Sequence, residues 1–269
     1  KVYHGIMLHH FLGGKSSFNS QGAIDAHQFR EIINFVGKEN ILDPLEFIEK
    51  YENNSLQNSD VCITFDDSLL SQYEVAYPVL KELGIKAFFF VYSSVFDGNY
   101  NFFETVRYFA SNYFVDFYDF CKNFFDAFNE YKNLNYQFFL IDHKSYMDEL
   151  LRKHSFYNKV DVEYRTLRDK VLTKNEYEKI IFLMFNKYDF DPLLIQELIF
   201  FGRQNLKELS DDGHLIGLHT HNHPFQLEKF SRDKQLNEYT KNKMILEEII
   251  NKEIITMSHP NGSYNSDTL

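Results

Sequence analysis

The sequence predicts an α/β fold: a parallel sheet that forms a distorted (β/α) barrel, complete or incomplete, with a large helical insertion. Short apolar runs of strand length alternate with segments whose apolar residues recur at helical spacing. Strands connected through helices run parallel, with right-handed crossovers. The alternation stops at residues 97–200, where helical patterns follow one another without a clear core strand. We therefore expect a single domain, residues 1–269, with a helical insertion at about 97–200.

The alternation begins with an apolar strand at residues 6–8 and a helix at residues 26–36, whose apolar residues share one face. Asp43 precedes Pro44, which is the arrangement of an N-cap followed by a first helical residue. A second helix is therefore expected at residues 44–50.

A further strand, helix and strand follow in the same order. Residues 61–65 and 85–92 are apolar runs typical of buried strands, and residues 73–83 between them have helical spacing. Gly84 directly after this helix is the residue type that most readily ends one.

Helical spacing inside the insertion predicts helices at residues 105–128, 144–154, 175–188 and 193–200. The strand–helix alternation then returns with residues 206–210, a turn at Gly213 and a strand at residues 215–218. A helix at residues 233–250 and a strand at residues 254–257 complete it.

Composition excludes several classes of protein. A net charge of −11 and a pI near 5.5 disfavour a nucleic-acid partner, because phosphate binding needs clustered Lys and Arg. No apolar run approaches the roughly 18 to 20 residues of a transmembrane helix. Cys62 and Cys121 are too few for a disulfide framework, and we expect both to be free and buried. No export signal opens the sequence, which favours a cytoplasmic location, although a mature exported form would look the same.

Two polar clusters stand where predicted strands end, the place where α/β folds carry their chemistry. Asp66 and Asp67 follow the strand at residues 61–65, and His219 and His223 follow the strand at residues 215–218. Hydrolytic metal sites commonly take three ligands from His and carboxylates and leave a position for water. The set of Asp67, His219 and His223 supplies that number, while His221 is expected to point away.

The two adjacent carboxylates should have different roles, because successive side chains of an extended segment point to opposite sides. One can bind the ion while the other accepts a proton from the attacking water. Each cluster alone also fits a simpler interpretation: a turn or helix cap for Asp-Asp, and a solvated surface for the histidines. A structural metal site with four protein ligands is a further alternative. The joint occurrence of both clusters favours the hydrolytic site.

Residues 61–67 and 213–224 resemble the first and second motifs of the polysaccharide deacetylase (NodB-like) carbohydrate esterase family. The resemblance covers most of residues 1–96 and 200–266. It implies that Asp66 is the general base and that Asp67, His219 and His223 bind a divalent metal. Zn²⁺ is expected, and Co²⁺, Ni²⁺ or Fe²⁺ would also fit. The glycine that usually follows the two aspartates is replaced by Ser68.

The opening segment, residues 6–9, resembles that of the permuted subgroup that includes poly-N-acetylglucosamine deacetylases. This resemblance implies that His9 is the general acid, with His10 and His259 as alternatives. Residues 258–265 resemble a later family motif, with His259 where tyrosine is usual, and its arginine-containing form is absent. The group that orients Asp66 therefore stays open. We expect the substrate to contact a set of polar and aromatic residues: His10, His259, Pro260 and Tyr264.

The resemblance implies a metal-dependent hydrolase that removes an N-acetyl or other N-acyl group from an amino sugar or glycan. The carbohydrate could be free, nucleotide-linked, lipid-linked or polymeric. Two alternatives remain open: a deformylase or amidase acting on another small N-acyl substrate, and a non-catalytic glycan-binding module. The helical insertion could be a lid over the active site, or a peripheral element that stabilises the fold or forms oligomers.

Overall fold

The structure is a computed structural model that describes residues 4–15, 22–98 and 100–269. The chain divides into two compact units. The first contains Lys1–Asn101 and Leu193–Leu269, and the second contains Phe102–Pro192. The described residues of the second unit are helical or irregular, without a strand. That this unit is an insertion into a single catalytic domain stays a prediction.

A parallel sheet forms the centre of the first unit. Its four strands are β1 (His4–Leu8), β2 (Val61–Asp66), β3 (Phe88–Val91) and β4 (Leu215–Leu218). All neighbours pair in parallel in the order β1-β2-β3-β4. A sheet whose strands follow one another in sequence order is typical of a (β/α) barrel. In a doubly wound sheet, by contrast, the strand order reverses at a switch point. The predicted α/β class with parallel strands is confirmed.

The prediction of a strand at residues 254–257 is wrong, because these residues form only a single bridge to the sheet. Met257 forms an isolated parallel bridge with Leu218, made by hydrogen bonds from Leu218 N to Thr256 O and from Ser258 N to Leu218 O. The chain then turns away from the sheet, because Pro260 begins a short turn and cannot donate a ladder hydrogen bond.

The helices before the second unit are α1 (Ala26–Val36), α2 (Pro44–Glu52) and α3 (Tyr77–Leu83). Helix α1 has the predicted bounds. The predicted cap of α2 is confirmed, since Asp43 Oδ1 accepts a hydrogen bond from Leu45 N at 2.9 Å. Gly84 ends α3 in the left-handed conformation, as expected. The helix was predicted to begin at residue 73, but Gln72–Ala76 form a π-helical turn before α3.

The second unit contains α4 (Phe102–Asn112), α5 (Phe117–Lys132), α6 (Gln137–Leu140), α7 (Lys144–Lys153), α8 (Lys159–Thr166) and α9 (Lys174–Lys187). The single helix predicted at residues 105–128 is wrong. It breaks before Asp116, which has an extended backbone and caps α5 by accepting a hydrogen bond from Asp119 N. Helices α6 and α8 were not predicted from the sequence.

After the second unit come α10 (Gln196–Ile199), α11 (Arg203–Asp211) and α12 (Arg232–Ile250). Helix α10 is only the central part of the helix predicted at residues 193–200. In the described parts of the chain, no helix combines the length and the apolar character needed to cross a membrane.

The main core of the first unit lies on one face of the sheet, where Phe65 and Phe89 stack with ring centroids 4.7 Å apart. The other face is lined by Cys62, Phe88 and Phe90. Gly217 permits this arrangement, because a Cβ atom there would lie 2.5 Å from the Phe90 ring. Both Cys62 and Cys121 are free and buried, as the sequence predicted.

Candidate metal centre

Three side chains from the ends of β2 and β4 meet at one point. The ligating atoms of Asp67, His219 and His223 all lie within 4.8 Å of one another. Asp67 Oδ1 is 3.0 Å from His223 Nε2 and 3.4 Å from His219 Nε2. These distances bring together, at one edge of the sheet, groups that are far apart in the sequence.

The carboxylate oxygen and the two imidazole nitrogens of this cluster are suited to binding a divalent ion. Asp67 Oδ1 is buried and has no assigned hydrogen-bond partner within the described part of the chain, despite its short distances to the two imidazoles. His219 Nδ1 donates to Ser258 O at 3.0 Å, so in the neutral imidazole the lone pair lies on Nε2, which is directed towards Asp67. One carboxylate oxygen and two imidazole nitrogens form a set that suits Zn²⁺ and related ions.

The backbone around the ligands is held in an unusual conformation. Asp67, Ser68, Thr220 and His223 all have left-handed φ values, between 50° and 78°. Non-glycine residues rarely adopt this region, and such strain is typical of functional sites. Ser68 adopts the conformation that a glycine would favour, so replacing the family's usual glycine leaves the turn intact.

Burial and charge set the properties of the two carboxylates. Burial opposes ionisation of Asp67, but the imidazoles of His219 and His223 outweigh it and hold the pKa of Asp67 well below its usual value. Asp66 is 5% exposed, and burial raises its pKa even though His219 partly opposes this. The structure thus separates the two: Asp67 stays ionised, and Asp66 gains most from accepting a proton.

Asp66 has a hydroxyl beside it. Ser258 Oγ lies 3.5 Å from Asp66 Oδ2, while Asp66 Oδ1 is buried and has no hydrogen-bond partner among the residues that the structure describes. The carbonyl oxygen of the same Ser258 accepts a hydrogen bond from His219 Nδ1. Ser258 therefore contacts both Asp66 and a predicted metal ligand.

His9 lies at the end of β1, next to this cluster. Its Nε2 atom is 3.7 Å from Asp67 Oδ2, and its side chain is 33% exposed. A histidine placed here can reach both solvent and a molecule bound beside the cluster of Asp67, His219 and His223. His10 stacks on His9 with ring centroids 6.4 Å apart.

The other predicted substrate contacts lie on the segment after Met257. Pro260 is buried, whereas Tyr264 is more than half exposed and packs its ring 5.4 Å from that of His259. Tyr239 hydroxyl and His259 Nδ1 form a hydrogen bond of 2.5 Å. Burial, and then the charge of His219, lowers the pKa of His259.

The residues that hold the histidine loop, residues 219–223, in place were not predicted from the sequence. Asn242 on α12 accepts a hydrogen bond from His219 N at 2.9 Å and donates to Val91 O at 3.0 Å. Glu238, one turn earlier, accepts from the backbone N–H groups of His221 and Asn222. A signal was present: these polar residues continue, at spacing four, the buried stripe that also contains Leu246 and Ile250.

His221 does point away from the cluster. Its Nδ1 atom hydrogen bonds with Ser93 Oγ at 3.0 Å, and its Nε2 atom is 3.7 Å from Asp97 Oδ2. The backbone of the same residue accepts a hydrogen bond from Ser94 N. His221 therefore fixes the loop between His219 and His223 to the end of β3.

Several solved structures have a similar fold. Streptococcus pyogenes deacetylase PplD in complex with acetate aligns with a TM-score of 0.53 and 19% identity, over 99% of this chain and 76% of that one. IcaB from Ammonifex degensii aligns with a TM-score of 0.53 and 14% identity, over 99% and 77% of the two chains. A de-N-acetylase from Aggregatibacter actinomycetemcomitans aligns with a TM-score of 0.53 and 13% identity, over 99% of this chain and 82% of that one.

No curated protein sequence matches the chain. The family model for polysaccharide deacetylase, in contrast, matches residues 53–269, which include Asp66, Asp67, His219 and His223. The opening strand with His9 lies outside the matched range. The chain belongs to the polysaccharide deacetylase family.

Proposed function

We propose that the protein is a metal-dependent hydrolase that removes the N-acetyl group from an amino sugar or glycan. The observation that supports this most directly is the convergence of Asp67, His219 and His223, with the buried carboxylate of Asp66 beside them. Three protein ligands leave room for water and for a substrate oxygen, as in hydrolytic sites.

The three ligands would hold the ion, with Zn²⁺ as the first choice and Co²⁺, Ni²⁺ or Fe²⁺ as substitutes. When bound, the ion lowers the pKa of water and polarises the acyl carbonyl. Asp67 serves this role because its neighbours keep it ionised. The Nδ1–H of His219, held by Ser258 O, keeps the imidazole oriented towards the ion.

Asp66 accepts a proton from the attacking water as the oxygen bonds to the acyl carbon. Its carboxylate suits this step because it is poorly solvated, and burial favours its protonated form. His9 then donates a proton to the nitrogen as the C–N bond breaks, which releases acetate and the free amine. The position of His9 next to Asp67 supports this assignment.

A panel of N-acetylated amino sugars, assayed for released acetate with and without added Zn²⁺, tests the proposal. The panel should contain monosaccharides, nucleotide-linked sugars and N-acetylglucosamine oligomers. We expect acetate release that depends on metal and stops after treatment with a chelator. Release of formate from N-formyl analogues in place of acetate would indicate a deformylase, and binding without turnover would indicate a glycan-binding module.

Substitution separates chemistry from metal binding. Asp66→Asn should lower kcat by about 10²–10⁴-fold, because it removes the proton acceptor. Zn²⁺ content, measured by atomic emission, should stay at the wild-type level. His219→Ala should instead lose the ion. Full activity of Asp66→Asn would exclude Asp66 as the general base.

A further inference from the structure

A buried amide links the two residues that we assign to proton transfer. Gln72 is 1% exposed, and its Nε2 atom donates hydrogen bonds to His9 O at 3.0 Å and to Asp66 O at 2.5 Å. A single nitrogen thus bonds to the main chain of the proposed acid and of the proposed base. The inference drawn below rests on the proposed function.

The two carbonyl groups lie where the pairing of β1 with β2 ends. The last paired residues are Leu8 and Phe65, and the next residues along each strand are His9 and Asp66. Beyond the last pair, the ladder no longer fixes one strand against the other. Gln72 supplies the connection at this point through its side chain.

The segment that carries Gln72 is itself unusual. Gln72 begins the π-helical turn Gln72–Ala76 that precedes α3, and such turns occur frequently at functional sites. Its neighbour Ser71 is also buried and accepts a hydrogen bond from Phe11 N at 3.3 Å. Two consecutive side chains therefore hold the backbone that follows β1.

We propose that Gln72 is a positioning residue that sets the distance between the side chains of His9 and Asp66. The ends of β1 and β2 are hydrogen-bonded to the same nitrogen, so a displacement of one relative to the other strains at least one of the two hydrogen bonds. Among the described residues, the side chains of the proposed ligands Asp67, His219 and His223 have no hydrogen bond to Gln72. The backbone N–H groups of His219 and His223 donate instead to Asn242 Oδ1 and Thr220 Oγ1. Gln72 should therefore affect proton transfer more than metal binding.

Gln72→Met tests this, because methionine keeps the size of the side chain and removes both donors. We expect kcat on the N-acetylglucosamine oligomer that reacts fastest to fall by about 10–100-fold, since small displacements of reacting groups cost rates of this order. The KM and the Kd for Zn²⁺ should change by less than about 3-fold. Gln72→Asn, which keeps the amide but is one methylene shorter, should give an intermediate kcat.

Ser71→Ala is the matched control. It removes a buried hydrogen bond to the same backbone segment but leaves the bonds of Gln72 intact, so kcat should stay within about 3-fold of wild type. Equal losses in Ser71→Ala and Gln72→Met would show that general loosening of the segment is responsible, and would overturn the proposal. Secondary structure and melting temperature should be recorded for each variant, with assays run well below the melting temperature.

A second substrate separates positioning from a structural role. 4-Nitrophenyl acetate has a leaving group that needs no proton, so misplacement of His9 should matter less for it than for the N-acetyl substrate. We expect the Gln72→Met loss to be several-fold larger on the amide. An unchanged kcat, or a loss that excess Zn²⁺ restores, would refute the role of Gln72. Failure of the wild-type protein to release acetate from any panel member would instead refute the proposed function.

Discussion

At the scale of single residues, the site depends on backbone conformations that most side chains avoid. A left-handed conformation costs a non-glycine residue roughly 1–2 kcal/mol. Four residues at the site adopt it, so the surrounding hydrogen bonds must offset that cost. Ser68 shows how: its hydroxyl donates to Tyr92 O at 3.5 Å, and its carbonyl accepts from Phe201 N at 3.1 Å.

Substitutions at Ser68 should therefore depend on backbone preference. Ser68→Gly should change the free energy of unfolding by less than about 1 kcal/mol, because relief of strain offsets the lost hydroxyl and the greater entropy of the unfolded chain. Ser68→Val should destabilise by about 2 kcal/mol or more, since a β-branched residue fits φ of 58° poorly. Urea unfolding measures both. A harmless Ser68→Val would contradict the strain that we assign to this turn.

His214 gives the protein a pH-dependent stability. The residue is 3% exposed, and its Nδ1 atom accepts a hydrogen bond from Ala87 N, so a proton has no suitable place on that atom. Burial, together with the charge of Lys86, lowers the pKa of His214 to about 4. The unfolded chain binds this proton more readily than the folded protein does. The contribution of neutral His214 to the free energy of unfolding is therefore fully present above about pH 6.5 and is lost as the pH decreases towards about 4.

The expected loss from this residue is of the order of 3 kcal/mol at most. His214→Gln keeps a hydrogen-bond acceptor but cannot titrate. Urea unfolding of both proteins in a chelator, at about pH 7 and about pH 4.5, should show a steeper decline for the wild type. Parallel declines would mean that His214 does not titrate as described.

The sequence was a better guide to the residues that converge at the site than to the residues that support them. Asp67, His219 and His223 could be selected because each follows an apolar strand, and parallel strands end at one edge of a sheet. Their roles stay proposals, although their convergence is observed. Gln72 had no comparable signal, since its partners are backbone groups brought close only by the tertiary fold.

At the scale of elements, helices were predictable where capping and apolar spacing agree. Helix α1 is an example: Asp25 and Gln28 form a reciprocal capping box at its start, and Gly37 follows its end. The break between α4 and α5 was missed because Tyr113, Phe114 and Val115 continue the apolar pattern without a glycine or proline. Local periodicity cannot reveal a break that only the next N-cap marks.

Helix α12 is the element that holds the histidine loop, and Glu238 is its main contact. Glu238→Gln removes the negative charge that binds the N–H groups of His221 and Asn222. We expect the Kd for Zn²⁺ to rise about 10–100-fold, the range typical of residues that orient metal ligands. Calorimetric titration of the metal-free protein measures it.

Glu247→Gln is the control for this experiment. Glu247 lies on the same helix and also accepts a backbone hydrogen bond, from Ile254 N, but it does not contact the loop. Its substitution should leave the Kd for Zn²⁺ within about 2-fold of wild type. Equal weakening by both substitutions would show that the stability of α12, and not the contact of Glu238, controls metal affinity.

At the scale of the whole molecule, the ligands come from two chain segments that together build the first unit. Asp67 lies before Phe102–Pro192 in the sequence, and His219 and His223 lie after it. A bound ion would therefore join segments that are otherwise held together by the sheet and its core. Such a cross-link favours the folded state, because the unfolded chain does not hold Asp67 close to the two histidines, which are distant in the sequence.

Metal should consequently raise the melting temperature. At a free Zn²⁺ concentration of about 100 times the Kd, linkage predicts about 2.7 kcal/mol of added stability. Differential scanning calorimetry should show the shift in the wild type and in Asp66→Asn, because Asp66 is not among the ligands. The shift should disappear in His219→Ala, which loses an imidazole from the cluster. A shift that survives in His219→Ala would mean that Zn²⁺ stabilises the protein from another position, and that the cluster is not the site of binding.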